Sequence, residues 1–409
     1  MPVIRQIGTL ATCAADGGQG DIHLISNAAL VWRDGRIAWV GPDARLPPEY
    51  AEEVPANIDV RTPLVVPGLI DCHTHLAFGG WRVDEFVQRV QGRKYQEIAA
   101  AGGGIASTVA QTRATSSEAL FDKCTAQLRE MTALGVTTVE CKSGYGLTLE
   151  QELRLLRVYR ELAVAGPQRI VPTLLGAHTI PPEMRERRDA YVDIVVNEMI
   201  PAAAREGLAT CCDVFVERGA FTADEARRIL RAAKRAGLSA KLHADQLTDG
   251  GGAALAAEVD AISADHLEHA ADAGIAAMAE AGVVAVSLPL ATMYLGQTPM
   301  PARTFIAAGV PVAVATDFNP GSAPSAHLPL ALTLACTMQR MTPAESLKGA
   351  TIYAARAVGR DAELGSLEAG KRADFVVIDA PSVDHWLYNF RPNAAGATYI
   401  DGITVRQRA

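Results

Sequence analysis

Short runs in which apolar and polar residues alternate occupy both ends of the chain. Near the amino terminus, Asp34-Gly35 separates the apolar runs VW and IAWV, and an Asp-Gly pair in that setting predicts a β-hairpin. The segments LGSLEAGKRADFVVIDA and ATYIDGITVRQRA near the other end have the same strand-and-turn character. Neither end alone has enough apolar surface for a stable core. We therefore predict that residues 1–62 and 363–409 form one small β-sandwich domain together.

Residues 63–362 alternate instead between strand-like and helix-like patterns. Apolar strand-like runs lie near residues 69, 136, 170, 212, 239, 261, 283 and 311. Between the runs, the spacing of polar residues predicts helix starts with capping boxes at Thr148–Gln151, Thr222–Glu225 and Thr342–Glu345. Eight apolar strands separated by helices predict an α/β fold of the (β/α)₈ TIM-barrel type, whose active site lies at the carboxyl ends of the strands.

Polar residues are concentrated where these strands end. His73 and His75 follow the first strand within LVVPGLIDCHTH, and their spacing of two makes both side chains point the same way. The later strands end in Lys142 and Tyr145, His178, Glu217, His243, His266 and Asp317. A single histidine is more often a buried structural residue, but five at barrel strand ends are improbable by chance. We therefore expect these side chains to share one site.

A mononuclear metal site is the simplest interpretation of this set. His73, His75 and His243 would give three neutral nitrogen ligands, and Asp317 would place a carboxylate beside them. A metal ion with an open position lowers the pKa of bound water toward neutrality, and Asp317 could take the proton from that water. Taken alone, Asp317 in ATDFNPG is equally compatible with a helix N-cap.

Composition narrows the class of protein. The chain has 409 residues, of which 49% are hydrophobic and 21% charged, as in ordinary globular proteins. A net charge of -8 argues against nucleic acid or an anionic membrane as a partner. No apolar run is long enough to span a membrane, and the first residues lack the pattern of an export signal. Seven cysteines without Cys-x-x-Cys spacing are typical of a reduced, cytoplasmic protein.

The motifs together resemble those of a known group of enzymes. LVVPGLIDCHTH, the later His243, the ATDFNPG segment and LGSLEAGKRADFVVID resemble the amidohydrolase superfamily over nearly the whole chain. That resemblance implies a metal-dependent barrel with a small β-sandwich made from both termini. Many members hold two metals bridged by a carbamylated lysine on the fourth strand. This chain has Glu217 in that region, which favours one metal ion.

A more specific resemblance is to the imidazolonepropionase family, hydrolases of histidine degradation. It is carried by DCHTHLAFGGWR, CKSGYGL, LLGAHTIP, LHADQ, ADHLEH and TDFNPGSAP. It implies that one zinc or iron ion per chain is bound by His73, His75, His243 and Asp317. It also implies substrate contacts from Arg82, Tyr145, His178, Gln246, Asn319, Gly321 and Ser322, with Tyr95 as a weaker candidate.

The resemblance implies hydrolysis of a ring carbon–nitrogen bond in 4-imidazolone-5-propanoate, giving N-formimidoyl-L-glutamate. Arg82 suits the propionate because a guanidinium holds a carboxylate at two points, although most arginines lie on protein surfaces. His178 and His266 are candidates for polarising the carbonyl and moving protons, and Gln246 occupies a position where some members have glutamate. Scattered apolar surface is compatible with a homodimer.

Two alternatives remain at this point. A deaminase of the same superfamily would carry a proton-donating glutamate where this chain has Gln246, and an amide cannot transfer protons in that way. A catalytically inactive barrel that serves as a scaffold would have lost metal ligands, and all four are present here.

Overall fold

A computed structural model describes residues 2–51, 54–55, 64–93, 97–98 and 102–407. Its strands are β1 Pro2–Ala11, β2 Leu24–Arg33, β3 Arg36–Pro42, β4 Val54–Pro55, β5 Leu64–Pro67, β6 Leu69–Asp71, β7 Val136–Lys142, β8 Arg169–Ala177, β9 Cys211–Val216, β10 Ser239–Ala244, β11 Ser263–His266, β12 Val284–Ser287, β13 Val312–Val314, β14 Phe375–Ile378, β15 Ala395–Ile400 and β16 Ile403–Gln407.

The described α-helices are Val83–Val90, Ile105–Ala114, Ser117–Ala133, Leu149–Ala165, Arg188–Ile194, Ile200–Arg205, Ala223–Arg235, Gly252–Glu258, Asp272–Ala281, Pro289–Leu295, Ala302–Ala307, Leu328–Gln339, Pro343–Gly349, Ile352–Ala357 and Val383–Asn389. Short 3₁₀ segments are Asp43–Arg45, Pro48–Tyr50 and Pro182–Arg187, and a π-helical turn spans Val195–Met199. Within the described residues, none of these helices combines the length and apolar character needed to cross a bilayer.

The predicted barrel is confirmed by the order of its strands. Strands β6 to β13 follow one another in one sheet, and each neighbouring pair is parallel. Just beyond the ends of the first and eighth strands, the chain closes the ring at one side: the amide of Asp317 donates to the carbonyl of His73 at 3.0 Å, and that of His75 to Phe318 at 2.8 Å. This closure brings His73, His75 and Asp317 together through the backbone.

Both ends of the chain meet in a second sheet, as predicted. Its main path runs β16-β15-β14-β5-β1-β2-β3, with β4 paired to β1. The hairpin at Asp34-Gly35 is confirmed, since Arg33 pairs with Arg36 and both turn residues have positive φ. Its core includes Trp32, Phe375 and Tyr399, with the rings of Phe375 and Tyr399 stacked 4.3 Å apart.

Strand β5 belongs to this second sheet and not to the barrel, because it pairs with β1 and β14. The sequence predicts these residues at the start of the barrel, because LVVPGLID is one apolar run broken only by Pro67-Gly68. The division into 1–62 with 363–409 and 63–362 stays a prediction. Strand pairing favours a first boundary at Gly68.

Two of the three predicted capping boxes are confirmed. The side chains of Thr222 and Thr342 each accept from the amide three residues later, and Glu225 and Glu345 return the bond. At the third site, Thr148 caps the helix by accepting from the amide of Gln151. The side-chain oxygen of Gln151 instead accepts from Arg154 Nε at 2.9 Å, so an arginine one turn further on takes the place of the reciprocal bond.

Candidate active site

Four predicted ligands meet at the carboxyl end of the barrel. Nε2 of His73 lies 3.4 Å and Nε2 of His75 lies 3.6 Å from Oδ1 of Asp317. Nε2 of His243, on β10, lies 3.3 Å from Nε2 of His75. Each of the four residues is at most 3% exposed. Three nitrogens and one oxygen therefore face a common point, and His75, His243 and Asp317 also line the cavity beside it.

The donor atoms fit a metal ion. Nε2 of His73 is buried and has no hydrogen-bond partner among the described residues, and such atoms are rare in protein interiors. The facing Nε2 atoms of His75 and His243 can satisfy one another only if one of them carries a proton. A cation between them would satisfy all three nitrogens and the carboxylate. Three imidazoles with one carboxylate are a donor set that suits zinc or iron.

Burial keeps these histidines in the neutral form that a metal requires. It lowers the pKa of His73 and of His75 well below the usual value, and it also lowers the pKa of His243. Burial raises the pKa of the Asp317 carboxyl to about 6. A cation at the common point would oppose that rise, because it favours the ionised carboxylate.

Two buried carboxylates hold two of the histidines from behind. Oδ2 of Asp265 lies 2.6 Å from Nδ1 of His73, and Oδ2 of Asp213 lies 3.0 Å from Nδ1 of His243. Nδ1 of His73 donates to the Asp265 carboxylate, which leaves Nε2 of His73 free for a metal. Asp213 fixes His243 through the backbone, because its Oδ1 accepts from the His243 amide at 3.1 Å. The amine of Lys142 lies beneath both carboxylates. Burial lowers the pKa of this amine, but the carboxylates of Asp213, Glu140 and Asp265 outweigh burial and raise the pKa well above its usual value.

A further group of possible metal ligands, His73 with Glu140 and Asp265, is already neutralised. Nζ of Lys142 lies 3.0 Å from Oε1 of Glu140 and 3.4 Å from Oδ2 of Asp265. Nζ of Lys241 lies 3.7 Å from the same two oxygens. Two ammonium groups thus occupy the place where a second cation would bind.

A cavity of about 540 Å³ adjoins the four-ligand cluster. Six residues predicted to contact substrate line it: Arg82, Tyr145, His178, Gln246, Asn319 and Ser322. His266 lines it as well, whereas Tyr95 lies outside the described residues. A cavity of similar volume, about 560 Å³, lies near the ends of helices Ser117–Ala133 and Leu149–Ala165 and has no histidine or carboxylate in its lining. The chemistry of the first cavity makes it the candidate site.

Arg82 is buried at the edge of this cavity, only 8% exposed. Its guanidinium packs on the backbone of Gly321, where an added Cβ would lie 1.3 Å from Nη2. Glycine is therefore required at residue 321 for Arg82 to hold its place. A carboxylate of Glu85 lies 3.6 Å from Nη1 of Arg82. Arg82 and Gly321, which are both predicted to contact substrate, thus pack directly against each other.

His178, directly after β8, packs against Tyr145 on the loop after β7. Their ring centroids are 5.3 Å apart, and His178 stacks on His75 at 5.1 Å. Nδ1 of His178 is 3.0 Å from the carbonyl of Gly144; a carbonyl only accepts, so Nδ1 carries the proton and Nε2 is an acceptor. Burial lowers the pKa of His178 to about 3, which keeps the ring neutral.

Glu152 fixes the backbone of that loop. Its carboxylate is buried and accepts from the amides of Gly144, Gly146 and Leu147 at 2.8–2.9 Å. The carbonyl of Gly144 in turn sets the tautomer of His178. Nothing in the sequence motifs pointed to Glu152, which lies one turn inside the following helix.

Glu217, directly after β9, similarly fixes the backbone of the loop after β10. Its carboxylate accepts from the amides of Leu247 at 2.8 Å and Thr248 at 3.2 Å, and from the hydroxyl of Thr248 at 2.5 Å. This residue stands where many superfamily members were expected to have a metal-bridging lysine. Here it holds the loop that carries Gln246, whose side chain lines the cavity.

Asn319 uses its side chain within its own turn. Nδ2 donates to the carbonyl of Asp317 at 2.6 Å and to Oγ of Ser322 at 2.8 Å, and Oδ1 accepts from the amides of Gly321 and Ser322 at 2.8 Å. Asn319 is expected to contact substrate, and these bonds show that its side chain also shapes the loop. The hydroxyl of Ser322 also lies 3.4 Å from Oδ2 of Asp317.

His266 differs from the other histidines in its electrostatics. Burial lowers its pKa, but the carboxylates of Glu268, 3.8 Å from Nδ1, and of Asp317 and Asp265 outweigh burial and raise the pKa above the usual value. His266 can therefore carry a positive charge next to the cavity. His269, three residues further along the chain, is exposed.

Comparisons with known proteins agree with this geometry. The family model described as amidohydrolase family matches residues 64–405. The chain is 47% identical over 397 residues to imidazolonepropionase of Geobacillus kaustophilus, covering 96% of this chain and 94% of that protein. It is 49% identical over 387 residues to imidazolonepropionase of Symbiobacterium thermophilum, covering 93% and 90%. The chain belongs to the amidohydrolase family, among the imidazolonepropionases.

Solved structures of more distant members have the same fold. Escherichia coli guanine deaminase has a TM-score of 0.73 and 15% identity, covering all of this chain and 99% of that one. Atrazine chlorohydrolase of Arthrobacter aurescens TC1, complexed with zinc, has a TM-score of 0.72 and 17% identity, covering all of this chain and 95% of that one. At such low identity, the likeness concerns the fold alone.

The buried charged side chains beneath the ligand cluster, here called the charged layer, have a recognisable pattern in the sequence. In an amidohydrolase barrel, alternate residues of each strand face inward, and charged residues in otherwise apolar strands stand out. Glu140 and Lys142 in VTTVECK, Asp213 in CCDVFV, Lys241 in SAKLHA and Asp265 in SADH are such residues. Of these five residues, the strand-end pattern indicates only Lys142.

Proposed function

We propose that this chain hydrolyses the ring carbon–nitrogen bond of 4-imidazolone-5-propanoate to give N-formimidoyl-L-glutamate, a step of histidine degradation. The observation that carries the proposal is the grouping of His73, His75 and His243, with Asp317 3.4 and 3.6 Å from the first two, at one wall of a cavity. The edge of that cavity holds a buried arginine. Relatives named imidazolonepropionase, 47% and 49% identical over most of their length, support the choice of substrate.

The proposed cofactor is one divalent or trivalent metal ion, zinc or iron, bound by His73, His75, His243 and Asp317. When bound, such an ion supplies Lewis acidity, which makes water a stronger acid and draws electron density from a carbonyl. The neutral imidazoles and the carboxylates behind His73 and His243 prepare the site for that cation.

Asp317 is the proposed base. Its Oδ1 faces the histidines, while Oδ2 lies near the hydroxyl of Ser322 on the side of the cavity. A carboxylate there can take a proton from the attacking water as the new carbon–oxygen bond forms. It can then deliver that proton to the ring nitrogen as the carbon–nitrogen bond breaks. One side chain, Asp317, thus both accepts the proton from water and delivers it to the ring nitrogen.

His266 and His178 receive opposite roles in this proposal. His266, with its raised pKa, is a hydrogen-bond donor and stabilises negative charge that develops on the carbonyl oxygen. His178 is neutral and already donates through Nδ1 to Gly144, so its Nε2 accepts a hydrogen bond from a ring N–H. The sequence left both residues as candidates for polarising the carbonyl, and the hydrogen bonds favour His266.

Arg82 is proposed to hold the propionate. A buried guanidinium next to the cavity supplies a charge-assisted, two-point contact, and the close approach to Gly321 keeps it in one place. Tyr145 closes the wall beside His178. Gln246 cannot transfer a proton, so we assign it hydrogen bonds to the substrate ring and no acid–base step.

The test is ring opening of 4-imidazolone-5-propanoate by the zinc- or iron-loaded protein. Loss of the ultraviolet absorbance of the substrate is followed, and the product is identified by mass spectrometry. We expect turnover by the native protein, and a rate lower by at least about a hundredfold for Asp317→Asn, since general-base groups contribute about 10²–10⁴-fold.

Asp361→Asn is the matched control, because Asp361 is exposed and far along the chain from the ligands. It should keep the native rate. Absence of turnover by native protein with a full metal complement would refute the proposed substrate. Native activity in Asp317→Asn would leave the substrate standing and refute the assignment of the base.

A further inference from the structure

The barrel interior beneath the ligand cluster contains a buried lysine whose three donors are all used. Nζ of Lys142 donates to Oδ2 of Asp213 at 2.7 Å, to Oε1 of Glu140 at 3.0 Å and to Oδ2 of Asp265 at 3.4 Å. The side chains of these four residues are fully buried. An ammonium group has three protons, so three carboxylates on three different strands meet at one nitrogen.

Two of these three carboxylates are the ones that hold metal-ligand histidines. The same Oδ2 atom of Asp213 that accepts from Lys142 lies 3.0 Å from Nδ1 of His243, and its Oδ1 accepts from the amide of His243 at 3.1 Å. The same Oδ2 atom of Asp265 that accepts from Lys142 lies 2.6 Å from Nδ1 of His73. Lys142 therefore contacts the carboxylate behind each of the two histidines.

We propose that Lys142 is a positioning residue for the metal centre: it locks Asp213 and Asp265 so that His243 and His73 present Nε2 to one common point. This inference rests on the metal site of the proposed function. The ligands His73 and His243 come from strands that are not neighbours in the barrel, so their relative placement needs a link across the interior. The lysine supplies that link through two carboxylates.

Lys241 provides a matched comparison within the same layer. It is also a fully buried lysine, but its Nζ donates to Oγ of Ser263 at 2.6 Å and to the carbonyl of Ala357 at 3.0 Å. It lies 3.7 Å from Glu140 and Asp265, beyond hydrogen-bond distance, and no ion pair with Asp213 is found among the described residues. Removing either lysine should destabilise the fold, because each removal leaves buried acceptors unpaired.

The experiment compares metal affinity in Lys142→Met and Lys241→Met. Each protein is stripped of metal with a chelator and titrated with Zn²⁺ against a competing chromophoric chelator. The visible absorption of the Co²⁺ form then reports the geometry of the ligands without any activity measurement. We expect Lys142→Met to bind Zn²⁺ at least about tenfold more weakly and to have an altered Co²⁺ spectrum, since partners behind metal ligands typically contribute about 10–100-fold.

Lys241→Met should keep Zn²⁺ affinity close to native even though its melting temperature falls. Equal loss of affinity in both variants would overturn the proposal, because it would mean that any defect in the charged layer has the same effect. Native affinity and spectrum in Lys142→Met would overturn it as well. A native chain that binds neither metal would instead refute the metal site of the proposed function.

A second variant covers the case in which Lys142→Met does not fold. The double change Lys142→Met with Glu140→Gln removes one positive and one negative charge and leaves Asp213 and Asp265 in place, so the net charge of the buried layer stays as in the native chain. It should fold and bind Zn²⁺ at least about tenfold more weakly than native protein. Native affinity in this folded double variant would contradict the role assigned to Lys142.

Discussion

The two sheets of this molecule have interiors of opposite chemistry. Inside the barrel, Lys142 and Asp265 belong to a layer of buried charges directly beneath the ligand cluster. Inside the terminal sheet, the core is apolar, with the rings of Trp32, Phe375 and Tyr399 in contact. Burying charges costs free energy even when they are paired, whereas burying aromatic rings is favourable.

The difference indicates what each unit contributes. Buried ion pairs are weak contributors to stability, so the charged layer is best understood as a device that holds ligands in place. Among the residues that the structure describes, none in the terminal sheet lines the candidate site, and the packing of this sheet can serve stability alone. Substitutions in the two interiors should therefore separate folding from metal binding and activity.

The largest effect on stability is expected in the terminal sheet. Phe375→Ala removes a fully buried ring from the stack with Tyr399, and a truncation of this kind costs about 3–5 kcal/mol of unfolding free energy. Urea denaturation measures the loss. We expect kcat and KM of the folded fraction to stay native, because no site residue contacts this core.

Phe390→Ala is the control for that substitution, since Phe390 is 64% exposed and its truncation should cost little. A fall in kcat for folded Phe375→Ala would contradict the separation between the two units. Such a fall would indicate that changes in the terminal sheet reach the barrel through Arg169 at the start of β8. The guanidinium of Arg169 pairs with Asp374 at 3.0 Å and with Asp401 at 2.6 Å.

A smaller effect, this time on activity, is expected at Glu152. Glu152→Gln replaces a carboxylate oxygen with an amide group that cannot accept from the loop amides, and about 1–3 kcal/mol of local stability is lost. The carbonyl of Gly144 then no longer fixes His178. We expect kcat/KM to fall about tenfold, equivalent to about 1.4 kcal/mol, measured by steady-state kinetics with the metal site full.

Thr148→Ala is matched to Glu152→Gln because Thr148 caps the same helix. It should lower stability by about 1 kcal/mol and leave kcat/KM unchanged. If both variants lose activity equally, the role of Glu152 is only to stabilise the helix. If Glu152→Gln keeps native kinetics, the loop does not set the geometry of His178.

The fold and the grouping of the candidate ligands were predictable because they depend on local patterns. Eight apolar runs, the hairpin signal at Asp34-Gly35 and the spacing of His73 and His75 each lie within a few residues of sequence. The carboxyl ends of barrel strands converge by geometry, so polar residues at those ends can be grouped without knowing any distance. His243 and Asp317 follow from that rule.

The supporting residues were not predictable in the same way, because their roles depend on contacts between distant segments. Asp213 meets His243 across 30 residues and Asp265 meets His73 across 192. Glu217 was expected only to stand in place of a metal-bridging lysine, and its hydrogen bonds to the amides of Leu247 and Thr248 do not follow from the sequence. Which oxygen accepts from which amide is set by loop conformation, and no residue pattern records it.

The smallest effect is expected on the outside of the barrel, where a charge acts on stability alone. Glu345 forms the capping box with Thr342, and its carboxylate pairs with Arg303 at 2.5 and 2.8 Å. Burial would raise the pKa of Glu345, but the arginine and the Thr342 amide outweigh burial and lower the pKa below its usual value near 4.5. The folded state therefore binds fewer protons at this group than the unfolded state.

A lowered carboxyl pKa means that the stabilisation is fully present above pH 4.5 and is lost as the pH falls through the folded-state value. Glu345→Gln should thus cost about 1 kcal/mol of unfolding free energy at pH 7, the size expected for a helix cap with a surface ion pair. That cost should shrink steadily below pH 4.5, as measured by denaturant unfolding at each pH. Activity at pH 7 should stay native, in contrast to the Glu152 variant. A cost that does not change with pH would mean that Glu345 stabilises the helix through packing and not through its charge.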